Sequence, residues 1–208
     1  GHQQITEEEE IERVAPVIEA VKARFDVPVS IDSYKAKVAA AAIEAGADLV
    51  NDIWGLKYDP EMAGLIARTG VACCLMHNKN NTEYQDFYPD MLRETAECVK
   101  LAKEAGIADD KIILDPGVGF GKNYEQNLET ILHMERFHEL GYPMLLGTSR
   151  KSVIGLTLDL PADQRVEGTL VTTVMAVMKK YAFVRVHDIK ENQRTIRMTE
   201  AILRAGEN

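Results

Sequence analysis

Cysteine is scarce in this chain, basic residues are in deficit, and no apolar run is long enough to cross a bilayer. Three cysteines in 208 residues cannot make the disulfide framework of a small secreted domain. Cys73 and Cys74 are adjacent inside a strand-like run, so they point to opposite faces. They read as small buried hydrophobes in a reducing cytosol. Lys+Arg number 24 against 33 Asp+Glu, a net charge of −9, which argues against nucleic acid or an anionic membrane as the main partner. One local basic pocket remains compatible with that balance. No stretch approaches the roughly 18–20 apolar residues of a membrane span and no signal peptide is visible, so a cytoplasmic location is expected.

Familiar catalytic signatures are missing too. There is no His-Glu-x-x-His, no Gly-x-Ser-x-Gly elbow and no Cys/His zinc pattern. His133 and His138 have no partners at metal spacing and read as surface residues. Nothing resembles a linker or a low-complexity tract, so residues 1–208 are expected to form one domain around one good-sized core. The chain begins Gly1-His2-Gln3-Gln4 without an initiator Met, the start expected of a processed product or a fragment.

Six short apolar runs are present, and each ends in a compact polar cluster. They are Pro28 to Asp32, Asp48 to Asp52, Val71 to Asn78, Lys111 to Gly117, Met144 to Lys151 and Phe183 to Asp188. Buried parallel strands read this way because helices cover both faces. Segments of helical period lie between them. Thr6 and Glu9 have capping-box spacing ahead of Ile11, Val14, Ile18 and Val21. Further helices are predicted over Lys35–Ala45, Pro60–Thr69, Tyr88–Ala105, Tyr124–Leu140, Val166–Tyr181 and Glu191–Ala205, four of them closed by a glycine. Alternating strand and helix with short connections is the signature of a parallel sheet. Six strands suit either an open doubly wound sheet or an incomplete (β/α)₈ TIM barrel. Polar clusters after all six favour the barrel, because an open sheet concentrates its site at one switch point.

The clusters carry distinct chemistry. Asp32, Asn51 and Asp115 each end a different strand, and a carboxylate only accepts whereas an amide donates and accepts. Together they suit the edge of a heterocycle bearing an amino group, a ring N–H and an acceptor nitrogen. Asp115-Pro116-Gly117-Val118-Gly119-Phe120-Gly121-Lys122 has glycines at alternate positions, so it is neither a dinucleotide fingerprint nor a P-loop. Phe120 offers an aromatic face beside the carboxylate. Gly147 to Ser152 brings two cations and three hydroxyls. Arg185 and His187 alternate along the sixth run, which places both on one face of a buried strand in need of an anionic partner, a phosphate or an internal acid such as Asp188. His77-Asn78 reads equally as catalytic or as a hydrogen-bonded structural pair.

Ser30-Ile31-Asp32-Ser33-Tyr34-Lys35, Asn51-Asp52-Ile53-Trp54-Gly55, Met76-His77-Asn78, Asp115 to Lys122, Gly147 to Ser152 and Arg185-Val186-His187-Asp188 resemble the dihydropteroate synthases in order and spacing across nearly all the chain. These are pterin-binding TIM-barrel enzymes of folate biosynthesis and sulfonamide targets. The resemblance implies a homodimeric (β/α)₈ barrel that joins 6-hydroxymethyl-7,8-dihydropterin pyrophosphate to p-aminobenzoate and releases pyrophosphate. It implies that Asp32, Asn51, Asp115 and Lys151 hydrogen-bond the pterin, with Ile53, Met76, Phe120 and Gly147 around the ring. Arg185 and His187 would hold the pyrophosphate and, with Lys151, act catalytically. Ser152, Lys151 and Phe120 would lie near p-aminobenzoate. Mg²⁺ is the cofactor implied, stabilising charge on the departing pyrophosphate.

The family's Asn-x-Thr-Pro-Asp-Ser-Phe-Ser-Asp and Gly-Glu-Ser-Thr-Arg-Pro segments are absent. The expectation is therefore a chain lacking the first two β/α units. The metal-associated Asn would lie in that missing part, leaving no metal ligand here, and the chain alone would be poorly stable and without turnover. Alternatives are a corrinoid-linked methyltetrahydrofolate methyltransferase, which needs no pyrophosphate clamp, a non-catalytic pterin-binding homologue, and a Schiff-base aldolase using Lys151.

Overall fold

The computed structural model describes residues 5–206, so the Gly1 to Gln4 start lies outside them. In chain order the elements are α1 (Glu7–Lys22), β1 (Ser30–Asp32), α2 (Ala36–Glu44), β2 (Leu49–Asp52), α3 (Met62–Thr69), β3 (Ala72–Met76), α4 (Phe87–Glu104) and β4 (Ile112–Asp115). Then follow α5 (Tyr124–Leu132), β5 (Leu145–Leu146), α6 (Ser152–Leu158), α7 (Val166–Met178), β6 (Phe183–Val184) and α8 (Ile189–Ala205). All six apolar runs form strands, each shorter than its run, so most of the polar tips belong to the loops that follow.

The chain forms two compact units, one of residues up to His77 with Glu94–Ile113, the other of Asn78–Arg93 with Leu114 onward. In the first, β1, β2 and β3 are parallel neighbours, in register Ser30 to Leu49 and Leu49 to Ala72. Val50, Cys73, Cys74 and Leu75 are fully buried, as continuous apolar strands require when both faces are covered. The Thr6 hydroxyl accepts from the Glu9 N–H at 3.2 Å and caps α1. Glu10 on that helix then accepts from Ser33 Oγ at 2.9 Å and Lys35 Nζ at 2.7 Å, which ties α1 to the loop after β1. All three cysteines are free and buried.

In the second unit Leu114 bridges Met144 in parallel, and β5 pairs with β6 through Leu145–Phe183 and Leu146–Val184. Leu114, Met134, Phe137, Met144 and Leu146 make its core. The inner face of α7 is hydroxylic. Thr172 Oγ1 is 2.7 Å from Thr148 Oγ1, and Thr173 donates to Asn192 Oδ1 at 2.6 Å.

Two expectations are corrected. The helix expected over Tyr124–Leu140 stops at Leu132, and a 3₁₀ helix runs from Met134 to Leu140. Its period of three places Met134 and Phe137, both fully buried, on one face. Arg185 and His187 do not lie within the sixth strand, which ends at Val184. The Arg185 N–H still donates to Leu146 at 2.9 Å. The fifth segment then departs into a turn closed by Lys151 N–H to Thr148 O at 3.1 Å, so no strand remains to pair with. Arg185 is half-buried and His187 exposed, rather than facing inward from a buried strand. The helix α6 was not anticipated; it is short and buries Val153 and Ile154.

Candidate functional site

In the first unit the ends of β1 and β2 bring Asp32 and Asn51 together, with Asn51 Nδ2 donating to Asp32 Oδ1 at 3.1 Å. Asn51 is buried and Asp32 exposed, so the pair presents a carboxylate to ligand while the amide orients it. Asp52, which sequence reasoning passed over, organises the next loop. Its two oxygens accept from the Trp54 and Leu56 N–H groups, each at 2.8 Å. Burial pushes its carboxyl above the usual range, against the pull of those two bonds. Ile53 sits half-buried in that loop, and Met76 is buried at the end of β3. His77 Nε2 lies 2.9 Å from Glu94 Oε2 with the ring fully buried, which is the structural reading of that histidine.

In the second unit Asp115 ends β4 fully buried. Its Oδ1 accepts from the Gly117 N–H at 2.7 Å. Oδ2 is buried and has no hydrogen-bond partner among the described residues. Arg185 Nη2 is 3.8 Å away, beyond hydrogen-bond distance. Lys122, the last residue of the glycine-rich loop, donates to the Gly117 and Phe120 carbonyls at 3.0 Å each, so it shapes the loop. Lys151 Nζ donates to the Val118 carbonyl and lies 4.6 Å from the centre of the Phe120 ring. Ser152, the first residue of α6, is exposed. Gly147 leaves the space that the Arg185 side chain occupies. A Cβ there would stand 3.1 Å from Arg185 Nη2.

The two cations after β5 part company. Arg150 turns to Asp188, with Nε to Oδ2 at 3.1 Å and Nη2 to Oδ1 at 2.6 Å. This pair holds the Asp188 carboxyl below the ordinary carboxylate range. Both guanidinium bonds of Arg150 go to Asp188, so Arg150 is committed to an internal carboxylate rather than to a ligand. His187 Nδ1 is 2.8 Å from Ser149 Oγ, a contact that no motif signals beyond a hydroxyl standing beside two cations. The expected groupings that are observed are thus Asp32 with Asn51 and Lys151 with Phe120, whereas the approach of Arg185 to Asp115 beside Gly147 was not anticipated. Chemically, a buried carboxylate with an unpartnered oxygen calls for N–H donors, and an adjacent guanidinium calls for an anion.

Residues 1–187 match the family described as pterin binding enzyme. The dihydropteroate synthase of Clostridium beijerinckii is 59% identical over 98% of this chain and 76% of its own length. That of Bacillus subtilis is 48% identical over 99% of this chain and 72% of its own length. Among solved structures, the Clostridium difficile dihydropteroate synthase in the presence of pteroic acid superposes with a TM-score of 0.95 at 45% identity, covering 97% of this chain and 77% of that one. The Xanthomonas albilineans synthase with 4-aminobenzoic acid gives 0.93 at 35% identity over 98% of this chain and 75% of that one. The fold is therefore that of the synthase TIM barrels, in agreement with the parallel strands and alternating helices. With the family matched over most of its length, the chain belongs to the pterin-binding enzymes, as a transferase of the dihydropteroate synthase type in folate biosynthesis.

Proposed function

We propose that the chain binds 6-hydroxymethyl-7,8-dihydropterin pyrophosphate and p-aminobenzoate, for substitution at the exocyclic methylene carbon with release of pyrophosphate. The observation that carries this reading is the buried Asp115, with one oxygen unpartnered among the described residues and Arg185 at 3.8 Å. Ring N–H donors of the pterin satisfy that oxygen through charge-assisted bonds. In the first unit, Asp32 and Asn51 supply a further acceptor and an amide, with Ile53 and Met76 as apolar wall. In the second, Lys151 donates to the ring, Phe120 and Gly147 flank it, and Ser152 with Lys151 and Phe120 receives p-aminobenzoate.

Arg185 and His187 take the pyrophosphate. Their donors are strongest where negative charge grows on the leaving group, so they stabilise the transition state more than the ground state. The neutral arylamine is already nucleophilic and needs positioning rather than activation. Mg²⁺ accompanies the pyrophosphate in this reading. Among the described residues no three carboxylate, imidazole or thiol groups converge as a ligand set, so the ion would be held chiefly by the pyrophosphate oxygens and water, as Mg²⁺ commonly is beside phosphates.

The same reading includes one barrel domain, a homodimer and a cytoplasmic location. Val171 and Met178 of α7 and Met198 and Ile202 of α8 are each more than half exposed, an apolar helical face of the kind that a second copy covers. Calorimetric titration with the pterin pyrophosphate is expected to show saturable binding. Absence of heat and of competition by the unphosphorylated pterin would overturn the assignment.

A further inference from the structure

Residues 149 and 150 each grip the residue 38 positions further on. Ser149 Oγ contacts His187 Nδ1 at 2.8 Å, and Arg150 clasps Asp188 through two bonds. These successive rungs fasten the loop after β6 to the turn after β5. Arg150 is itself held. Its N–H donates to Thr169 Oγ1 at 3.2 Å, its carbonyl accepts from Arg165 Nη1 at 2.8 Å, and its φ of 59° is one that a non-glycine residue adopts only under constraint.

The Ser149 hydroxyl is buried, and it already accepts from the His187 backbone N–H at 3.2 Å. Among the described residues Nδ1 is the one acceptor within reach of its proton. An Nδ1–H would leave that buried hydroxyl proton without a partner, so Nδ1 accepts and the ring hydrogen sits on Nε2. Nε2 is then a donor. It makes no hydrogen bond among the described residues, and the residue is exposed. With the Nδ1–H tautomer, by contrast, Nε2 would turn a lone pair toward an anion and repel it.

We propose that Ser149 is a positioning residue for His187, holding Nδ1 so that Nε2–H points a donor at the anionic leaving group. The inference rests on the reading of His187 as a pyrophosphate ligand and deepens it. It adds a tautomer requirement to that role.

The test is ¹⁵N spectroscopy of the histidine side chains in the 208-residue chain, with titration by inorganic pyrophosphate. The unmodified chain is expected to show the Nε2–H pattern for His187 at neutral pH. Ser149→Ala is expected to admit the Nδ1–H tautomer and to weaken pyrophosphate binding by about 3- to 10-fold, the worth of one ordinary hydrogen bond. Ser149→Thr is expected to restore both. Unchanged signals from the other histidines report that the Ala variant keeps its fold. A His187 pattern identical in Ser149→Ala and the unmodified chain would overturn the positioning role. His187→Ala with undiminished pyrophosphate affinity would instead overturn the underlying assignment of His187, whatever Ser149 does to the tautomer.

Discussion

Arg185 Nη2 stands 3.8 Å from Oδ2 of Asp115, close enough for attraction and too far for a hydrogen bond. The carboxylate is fully buried, and that oxygen has no other partner among the described residues. A buried charge left half-satisfied is costly. A ligand that brings N–H donors to Asp115 and an anion to Arg185 relieves both groups together, which is the logic of one molecule carrying a pterin and a pyrophosphate.

Asp115→Asn replaces an acceptor-only group with one that must also present N–H. Its affinity for the unphosphorylated pterin is expected to fall by roughly 10- to 100-fold, the range for a hydrogen bond to a charged group. Equilibrium fluorescence titration checks this, and an affinity within twofold of the unmodified chain would count against the ring-recognition role.

Gly147→Ala places a Cβ 3.1 Å from Arg185 Nη2. The guanidinium is the mobile end of a long side chain, so it gives way and the fold does not. Pyrophosphate affinity is expected to drop several-fold with the melting temperature nearly unchanged. A large loss of stability with affinity intact would show that Gly147 serves packing instead.

Gly55→Ala offers the contrast. Gly55 has φ of 58°, and its Cβ would meet Cys98 Sγ at 2.5 Å and the Met76 carbonyl at 3.0 Å. Neither neighbour is a free chain end, so denaturant unfolding is expected to show a loss of about 1–3 kcal/mol. An unaltered midpoint would refute the close packing of that turn.

The pH response has a defined sign. Asp188 is held below the ordinary carboxylate range by Arg150, and Asp48 by the Val29 N–H and then Lys22. A depressed folded value means stability that is complete above the unfolded carboxylate value of about 4 and lost as pH falls through the folded value. Asp52, raised by burial, acts oppositely and favours folding most when protonated. The melting temperature is expected to fall on acidification below about pH 4, with a shallower slope in Asp188→Asn. An identical slope in that variant would remove the Arg150–Asp188 pair from the account.

Much of the fold was legible because apolar runs capped by polar clusters are what doubly covered parallel strands must look like. The glycines after α3 and α4 marked helix ends for a similar reason, since Gly70 and Gly106 take positive φ. What sequence could not show was where pairing stops. Arg185 and His187 alternate as a strand would, yet the turn after Gly147 withdraws the partner strand. Asp52 and Ser149 were missed because each acts through backbone N–H groups or a ring nitrogen brought near only by folding. Arg150 is, in the sequence, one of two adjacent cations with no partner indicated, and only tertiary structure commits it to Asp188.

The most direct test compares the pterin alcohol with its pyrophosphate by calorimetry, in the unmodified chain, Asp115→Asn and Arg185→Ala. The account predicts that pyrophosphate strengthens binding, that Asp115→Asn weakens both ligands alike, and that Arg185→Ala removes only the pyrophosphate increment. Equal affinities for the two ligands in the unmodified chain would contradict it, and would leave a pterin-binding protein without a leaving-group clamp.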